Sequence, residues 1–359
     1  MVGLLAAAVL LVQTPVRLVL PTPPGEAGLE VVSHPAALDP PRVCPKYGWE
    51  YPFLSTGFVR RAGAEAELRF RVYCQSRRRL PAAVSVNRAL LRLWSLVDSR
   101  LGLDHARPYG RLVEVFLTEG GDAGGEQGIF FGPGPDGQPR SHNTIYIYHL
   151  SSFDGPVEKA REVAHEYGHA VLPAIGGFEA PEEWGNGSLG ERLFLMWLAE
   201  ELASGALKPE DAMGAEADAV AAWVRDRVLP LSDRVWLNGP DLKLLKSKGP
   251  EAMDEYLGVM LMAAQAFPDA MPRAVLLSGG VKAMDALRGV LRATEERETW
   301  EVRVPERLRG REVWLPLPGR WEFEGAEELE RKGDWVKVRP GGATVTAVKW
   351  KGNPDPLPV

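Results

Sequence analysis

The spacing of apolar residues predicts helices through the middle of the chain. In residues 84–103, Leu90, Leu93, Trp94 and Val97 recur at intervals of one to four positions and would share one face of a helix. A helical period also appears in four later stretches, residues 218–229, 240–249, 251–267 and 279–294. These segments predict a mainly helical region whose apolar faces pack on a shared core.

Alternation of apolar and polar residues predicts strands on either side of the first helix. Residues 57–74 suggest two strands around a glycine turn. Two more candidate strands, residues 111–119 and 143–150, are separated by a glycine-rich loop from Gly120 to about Gly137. We interpret residues 57–74 as part of a small β unit that precedes the main domain.

A further β pattern begins near residue 299 and predicts a C-terminal β domain. Its candidate strands are residues 299–304, 312–317, 334–339 and 343–350. Pro340, Gly341 and Gly342 favour a hairpin turn between the last two strands. Tryptophans in this region are candidates for binding a polysaccharide or a partner. A small sheet also needs an apolar face in order to fold, and we favour that structural role.

These changes of pattern divide the chain into four segments. Residues 1–20 are interpreted as a signal peptide or anchor, because the apolar run 3–12 matches a signal-peptide core and is too short to span a bilayer. Residues 21–80 form an extended and β segment, residues 81–297 the main domain and residues 298–359 the C-terminal β domain. We therefore expect an exported protein, periplasmic, on the cell surface or secreted, without a transmembrane segment beyond that possible anchor.

Composition narrows the classes of partner. The 359 residues carry a net charge of -6, which argues against nucleic acid and anionic membranes as partners. The two cysteines, Cys44 and Cys74, would form one disulfide in an exported protein and remain two thiols in a reducing compartment.

The strongest chemical pattern is HEYGH at residues 165–169. On a helix, His165 and His169 at positions i and i+4 share one face and can reach a single Zn²⁺, with Glu166 directed toward the same metal-bound water. A helix is expected here, because Pro156 suits its first turn and Pro173 would stop it. The alternative is a solvated helix face that carries two histidines and a glutamate without a function.

At HEYGH, including Gly168, the chain resembles the HExxH zinc metallopeptidases, known as zincins. The resemblance is looser over residues 110–200. It implies a zinc-dependent hydrolase of peptide bonds that acts on peptide or protein substrates through a metal-activated water, with His165 and His169 as metal ligands and Glu166 as general base. It also implies an α+β fold, a zincin-like catalytic domain with a small sheet and helices around the HExxH helix, flanked here by small β units.

The third ligand can be narrowed by comparison with the branches of that family. The metzincin pattern requires a histidine at the position of Ile175, and no histidine follows His169 in the chain. A carboxylate must therefore complete the site, as in the glutamate-ligand branch. The familiar spacings of that branch fall on Ser188 or Leu189, which have no carboxylate, and Glu191 in the next helix is the predicted ligand.

Two alternatives for Glu191 remain open. Ser188 and Glu191 also match a capping box, in which the glutamate serves only the start of a helix. In addition, the family segment N-E-G-x-A-E laid over N-G-S-L-G-E places Gly187 where the ligand should be, which would make Glu191 a group behind the ligands. Glu179, Glu182 and Glu183 on the connecting loop are the substitutes.

The resemblance also raises the question of what stabilises the oxyanion. Related enzymes often use a downstream histidine or tyrosine, and Tyr256 is the only tyrosine after Tyr167. Tyr256 is thus the candidate donor, although it also suits the edge of a helix packing face.

In such enzymes the strand before the HExxH helix is a sheet edge that binds extended peptide, which would be Asn143–His149 here. The rival interpretation is a catalytically inactive, zincin-like binding protein of the cell envelope.

Overall fold

The computed structural model describes residues 14–23, 25–105, 112–133 and 138–350. The protein is α+β, as predicted. It divides into two compact units. The first unit contains the described residues up to 92 and those from 105 to 153, and the second contains residues 93–104 and the described residues from 154 onward. The apolar run 3–12, the core of the predicted leader, lies outside the described residues.

The first unit is built on a seven-stranded mixed sheet. Its strands, in chain order, are β1 (Val16–Leu20), β2 (Gly28–His34), β5 (Phe53–Arg60), β6 (Glu67–Cys74), β7 (Val113–Thr118), β8 (Gly124–Pro133) and β9 (Pro139–Tyr148). The order across the sheet is β1-β2-β5-β6-β7-β9-β8. Strand β7 runs parallel to β6 and β9, and the other pairings are antiparallel. Two short strands, β3 (Arg42–Val43) and β4 (Glu50–Tyr51), pair separately.

Two expectations about this sheet were wrong. The predicted edge strand lies mostly in β9, which is flanked by β7 and β8, so β8 is the edge strand. The segment predicted as a glycine-rich loop contains β8 itself. An edge strand packs little apolar surface, as the 42% and 77% exposure of Ile129 and Phe131 shows, and its sequence therefore lacks the usual strand signature.

An aromatic cluster covers one face of the sheet. It consists of Cys44, Tyr51, Tyr73, Phe116 and Tyr146, all buried. The rings of Tyr73 and Tyr146 stack on Phe116 with centroid distances of 5.1 and 5.3 Å. Tyr146 of β9, the strand before HEYGH, is therefore part of the core, and Tyr148 on the same face packs against it.

A buried ionic group lies beside this cluster. Both carboxylate oxygens of Glu114 accept hydrogen bonds from Arg42, at 3.1 and 2.9 Å, and Oε2 also contacts His142 Nδ1 at 2.6 Å. Burial alone would raise the pKa of Glu114, but these hydrogen bonds lower it to about 2. Arg42 belongs to β3, so the group ties this short strand to the sheet.

The two cysteines are free thiols in the structure. Cys44 belongs to the aromatic cluster, and Cys74 ends β6, where its thiol donates to the carbonyl of Ser76 at 3.5 Å. The disulfide expected for an exported protein is not formed.

Helices dominate the second unit. The helices predicted in residues 218–229, 251–267 and 279–294 are present, but the one predicted in residues 240–249 was wrong, because that stretch has only a short 3-10 helix, Leu244–Lys246. Helix α1 (Leu80–Leu101) belongs to the first unit up to residue 92 and to the second from residue 93. The remaining α-helices described are α2 (Gly155–Val171), α3 (Gly185–Ala203), α4 (Ala217–Arg227), α5 (Leu229–Asn238), α6 (Pro250–Ala266), α7 (Met271–Ser278) and α8 (Ala283–Glu295). Within the part of the chain that the structure covers, no helix is both long and apolar enough to cross a membrane.

The C-terminal strands form two small sheets. The strands are β10 (Thr299–Arg303), β11 (Val313–Pro316), β12 (Trp321–Glu324), β13 (Ala326–Lys332), β14 (Trp335–Pro340) and β15 (Thr344–Lys349). Their orders are β10-β15-β12 and β11-β14-β13. The predicted hairpin between β14 and β15 was wrong, because these strands pair in different sheets. Four of the five tryptophans in this region are buried, which agrees with the structural role we favoured, and the fifth, Trp350, is partly buried. The four are Trp300, Trp314, Trp321 and Trp335.

Candidate metal centre

Helix α2 presents the two histidines of HEYGH on one face. Pro156 lies in its first turn, as predicted, and the helix ends at Val171, two residues before Pro173. His165 and His169 are one turn apart, and their Nε2 atoms are 3.2 Å from each other. Both side chains are mostly buried, at 14% and 16% exposure. The helix therefore brings two imidazole donors to one point.

A close crossing of α2 and α3 depends on two glycines. A Cβ at Gly168 would lie 2.8 Å from the carbonyl oxygen of Asn186 and from Cα of Gly190. A Cβ at Gly190 would lie 2.5 Å from Cα of Gly168. The backbones of the two helices are thus close to contact, which only glycine permits. This crossing explains Gly168 within HEYGH and brings the start of α3 onto the imidazoles.

Glu182, on the loop between the two helices, completes the cluster. Its Oε2 lies 3.2 Å from Nε2 of His165, and its Oε1 lies 3.6 Å from Nε2 of His169. One ligand atom from each of these three side chains lies within 4.8 Å of the others. Two imidazole nitrogens and one carboxylate oxygen are a set that could hold a metal ion.

The predicted third ligand, Glu191, lies on the other side of His165. Its Oε2 is 3.1 Å from Nδ1 of His165, the ring nitrogen that does not face Glu182. Glu191 thus corresponds to the alternative in which it stands behind the ligands. The capping-box alternative was wrong, because α3 begins at Gly185 and Ser188 lies inside it. The path of the loop between α2 and α3 places Glu182 beside the two Nε2 atoms instead, and sequence spacing does not predict that path.

Acceptors on both Nδ1 atoms orient the two rings. Asn186 Oδ1 lies 3.1 Å from Nδ1 of His169, and the Asn186 amide donates to the carbonyls of His169 and Leu172. With Glu191 on Nδ1 of His165, each Nδ1 carries a hydrogen that it donates. The Nε2 atoms are then the positions available for a metal. Asn186 was missed in the sequence, where it stands only as the residue before Gly187.

Arginines hold Glu191 in place. Arg161 Nη1 lies 2.9 Å from Oε2 of Glu191, and Arg192 Nη1 lies 3.2 Å from its Oε1. Arg161 also pairs with Glu158 and Glu162 at 2.6 and 3.0 Å. Arg161 was also missed, although its spacing four residues before His165 places both on one face of α2.

The loop that carries Glu182 is fixed at several points. Gly185 N–H donates to the carbonyl of Ile175, and Glu179 N–H donates to that of Lys248, both within 2.9 Å. The Trp184 backbone also donates to the Glu182 carboxylate. A Cβ at Gly176 would lie 2.8 Å from the Trp184 indole, so the ring covers the loop. These contacts are local to the loop and its neighbours in the second unit.

The surroundings of the two imidazoles shift their pKa values in opposite directions. Burial lowers the pKa of His165, but the hydrogen bonds to Glu182 and Glu191 outweigh it and raise the pKa to about 10. Burial, together with the charge of His165, lowers the pKa of His169 to about 4. Burial likewise opposes the charge on Glu191, yet its hydrogen bond from His165 and the two arginines lower its pKa. Without metal, His165 is the protonated ring.

The two predicted catalytic side chains have different positions. Glu166 follows His165 in α2 and is 3% exposed, and its charge contributes to the raised pKa of His165. Tyr256, in α6, is 1% exposed and packs on Phe178, with ring centroids 5.8 Å apart. Burial raises the pKa of Tyr256. The structure therefore gives Tyr256 an interior packing role and keeps Glu166 beside the imidazoles.

Substitution of Gly187 by alanine should weaken metal binding without unfolding the protein. A Cβ there would lie 2.1 Å from Nε2 of His169, so the ring must turn away. We expect at least tenfold weaker binding of Zn²⁺ by titration calorimetry and an unchanged helical circular dichroism spectrum. Ser188→Ala, one residue along α3, is the control and should bind as the wild type does. Equal affinity in all three proteins would contradict this placement of His169.

The metal-free protein should lose stability as the pH rises from 7 to 10. The folded pKa of His165, about 10, is above the ordinary value of 6.5. Its stabilising effect is therefore complete below pH 6.5 and is lost as the pH approaches 10. Melting temperatures measured in chelator should fall more steeply for the wild type than for His165→Gln. Parallel curves would show that His165 carries no such proton.

Comparison with known proteins adds no assignment to this geometry. The chain matches no protein-family model, no curated protein and no solved structure.

Proposed function

We propose that this protein is a zinc-dependent metallopeptidase in which His165, His169 and Glu182 hold the ion and Glu166 is the general base. One observation carries the proposal. Two imidazoles one helical turn apart and one carboxylate offer ligand atoms within 4.8 Å of one another. We also propose that the HExxH helix and the helix that crosses it belong to a zincin-like catalytic domain.

The donor set fits zinc in a catalytic role. Two histidines and one glutamate are a ligand set of catalytic zinc sites, which keep a fourth position for water or substrate. Both Nδ1 atoms face acceptors, Glu191 and Asn186, at 3.1 Å, as histidine ligands of metals usually do. Harder cations such as Mg²⁺ and Ca²⁺ prefer all-oxygen sites, which argues against them here.

When bound, zinc supplies Lewis acidity, which polarises a substrate carbonyl and lowers the pKa of water to about 7. Glu166 accepts a proton from the attacking water and passes it to the leaving amine nitrogen. Its position next to His165 in α2 and its 3% exposure keep this carboxylate close to the ligands and away from bulk water. Glu191, held by Arg161 and Arg192, fixes the ring of His165 and does not touch the substrate.

One observation favours a second candidate, a non-catalytic binding protein of the cell envelope that retains the metal site. Tyr256 was the predicted oxyanion donor, and it is buried against Phe178. The chain has no histidine after His169. A hydrolase would therefore need an oxyanion donor other than the downstream histidine or tyrosine that the resemblance implies. Export of the protein is proposed with either candidate.

Glu166→Gln should separate the two candidates. The amide cannot accept the proton, so we expect unchanged zinc content and a loss of at least 100-fold in turnover of a generic protein substrate such as casein. Zinc content is measured by atomic emission and turnover by release of fluorescent peptides. If the wild type binds zinc and cleaves no peptide, the binding-protein candidate stands. If the wild type binds no zinc, both fail.

Single alanine variants should distinguish the third ligand from the group behind His165. Glu182→Ala should lower zinc affinity by 100-fold or more, because it removes a ligand atom. Glu191→Ala should have a smaller effect, about 10- to 100-fold, as for groups that orient a ligand. Glu179→Ala and Glu183→Ala, exposed on the same loop, are controls and should retain wild-type affinity. A larger loss in Glu191→Ala than in Glu182→Ala would return the ligand role to Glu191.

A further inference from the structure

A cavity separate from the metal centre lies in the second unit, toward the C-terminal half of helix α3. Its volume is about 900 Å³. Trp197 lines it, eleven residues along α3 from Asn186, which corresponds to about 16 Å of helix. The other walls come from the end of α1, from α4, from the chain around the start of α7 and from β10. Cavities that bind small molecules have volumes of about 300–1,000 Å³, so this one is large enough for a ligand.

The floor of the cavity is apolar. Met196, Trp197, Val224, Met271 and Val304 line it, and each is less than one-tenth exposed. Methionine side chains adapt to ligands of irregular shape. An apolar chain would find contacts here that a purely polar ligand would leave unused.

Charged side chains, most of them arginines, form the rim of the cavity. Its acidic residues are Glu200 and Asp269, and its arginines are Arg100, Arg225, Arg297, Arg303 and Arg307. Glu201, Asp226 and Asp233 pair with three of these arginines from just outside the lining, so the five guanidinium groups face five carboxylates. An anion would therefore be attracted most strongly to a guanidinium group that no carboxylate neutralises.

The five arginines differ in how firmly they are already paired. Arg307 is committed to Asp233 at 2.6 Å, and Arg100 to two glutamates at 2.6 Å each. Arg225 pairs with Asp226 at 2.9 Å. Arg297 has a longer ion pair, 3.4 Å to Asp269, and its guanidinium group lies 4.6 Å from the centroid of the Trp300 ring. Over the described residues, the side chain of Arg303 has no hydrogen bond or ion pair.

Arg297 and Arg303 also line a smaller adjoining cavity of about 190 Å³. Phe267 and Trp300 form its base and are 1% and 3% exposed. Arg303, unpaired among the described residues, and the weakly paired Arg297 therefore stand at the border of both spaces. An anionic group placed there could accept hydrogen bonds from both side chains, each of which presents a planar fork of donors.

We propose that this cavity binds an amphipathic anion, with its carboxylate or phosphate head on Arg297 and Arg303 and its apolar chain along the floor of Met196, Trp197 and Met271. The arginines select the charge, and the floor selects the apolar chain. The site does not depend on the metal centre, and a failure of either proposal leaves the other unaffected.

The test is titration calorimetry of the full chain with dodecanoate and dodecyl phosphate below their micelle concentrations, with and without chelator. We expect saturable binding that chelator does not change. Arg303→Gln and Arg297→Gln should each weaken it at least tenfold, and Arg303→Lys should weaken it less, since the charge remains while the fork is lost. Arg292→Gln, an exposed arginine of α8 outside the cavity, is the matched control and should bind as the wild type does.

Three results would overturn the proposal. The first is no saturable binding of either anion to the wild type. The second is equal affinity for dodecyltrimethylammonium, which has the same tail and the opposite charge. The third is wild-type affinity in both glutamine variants, whose folding is checked by circular dichroism. Tighter binding of one of the two anions identifies the head group, and each such result supports the site.

Discussion

The near contact of two helix backbones determines the position of almost every group in the metal centre. Gly168 and Gly190 face each other where α2 and α3 cross, and a methyl group on either would lie within 2.8 Å of the other helix. Because the helices are so close, Asn186 and Glu191 reach the Nδ1 atoms of the two imidazoles directly. The crossing therefore positions the rings, selects their tautomers and directs both Nε2 atoms to one point.

The charges around the imidazoles suit a divalent cation. Glu166, Glu182 and Glu191 stand near the two rings, and in the metal-free protein part of this negative charge is balanced by a proton on His165, whose pKa is raised to about 10. A cation that binds here displaces that proton, so metal binding and protonation compete. Arg161 and Arg192 pair with Glu191 and keep it ionised. Glu191 therefore remains an acceptor for Nδ1 of His165 and does not take part in this competition.

Sequence predicted what depends on local periodicity and missed what depends on the path of the chain. The helices around Trp94 and Met260 and the i, i+4 geometry of HEYGH follow from a period of 3.6 residues, and the structure has them. Strand β8 escaped prediction because an exposed edge needs few apolar residues. The pairing of β14 and β15 in separate sheets depends on contacts distant in sequence that no spacing rule contains. The same is true of the position of Glu182, rather than Glu191, beside both Nε2 atoms.

Of the three side chains in the cluster, Glu182 is the one that does not belong to a helix. It extends from a connecting segment, 34% exposed, whereas both imidazoles belong to a buried helix face. A bound ion would link the helix pair to the segment that joins the two helices. Loss of the ion would leave the helices docked through their glycines and the segment held by its backbone hydrogen bonds to Ile175 and Lys248, so that only the Glu182 side chain would be released.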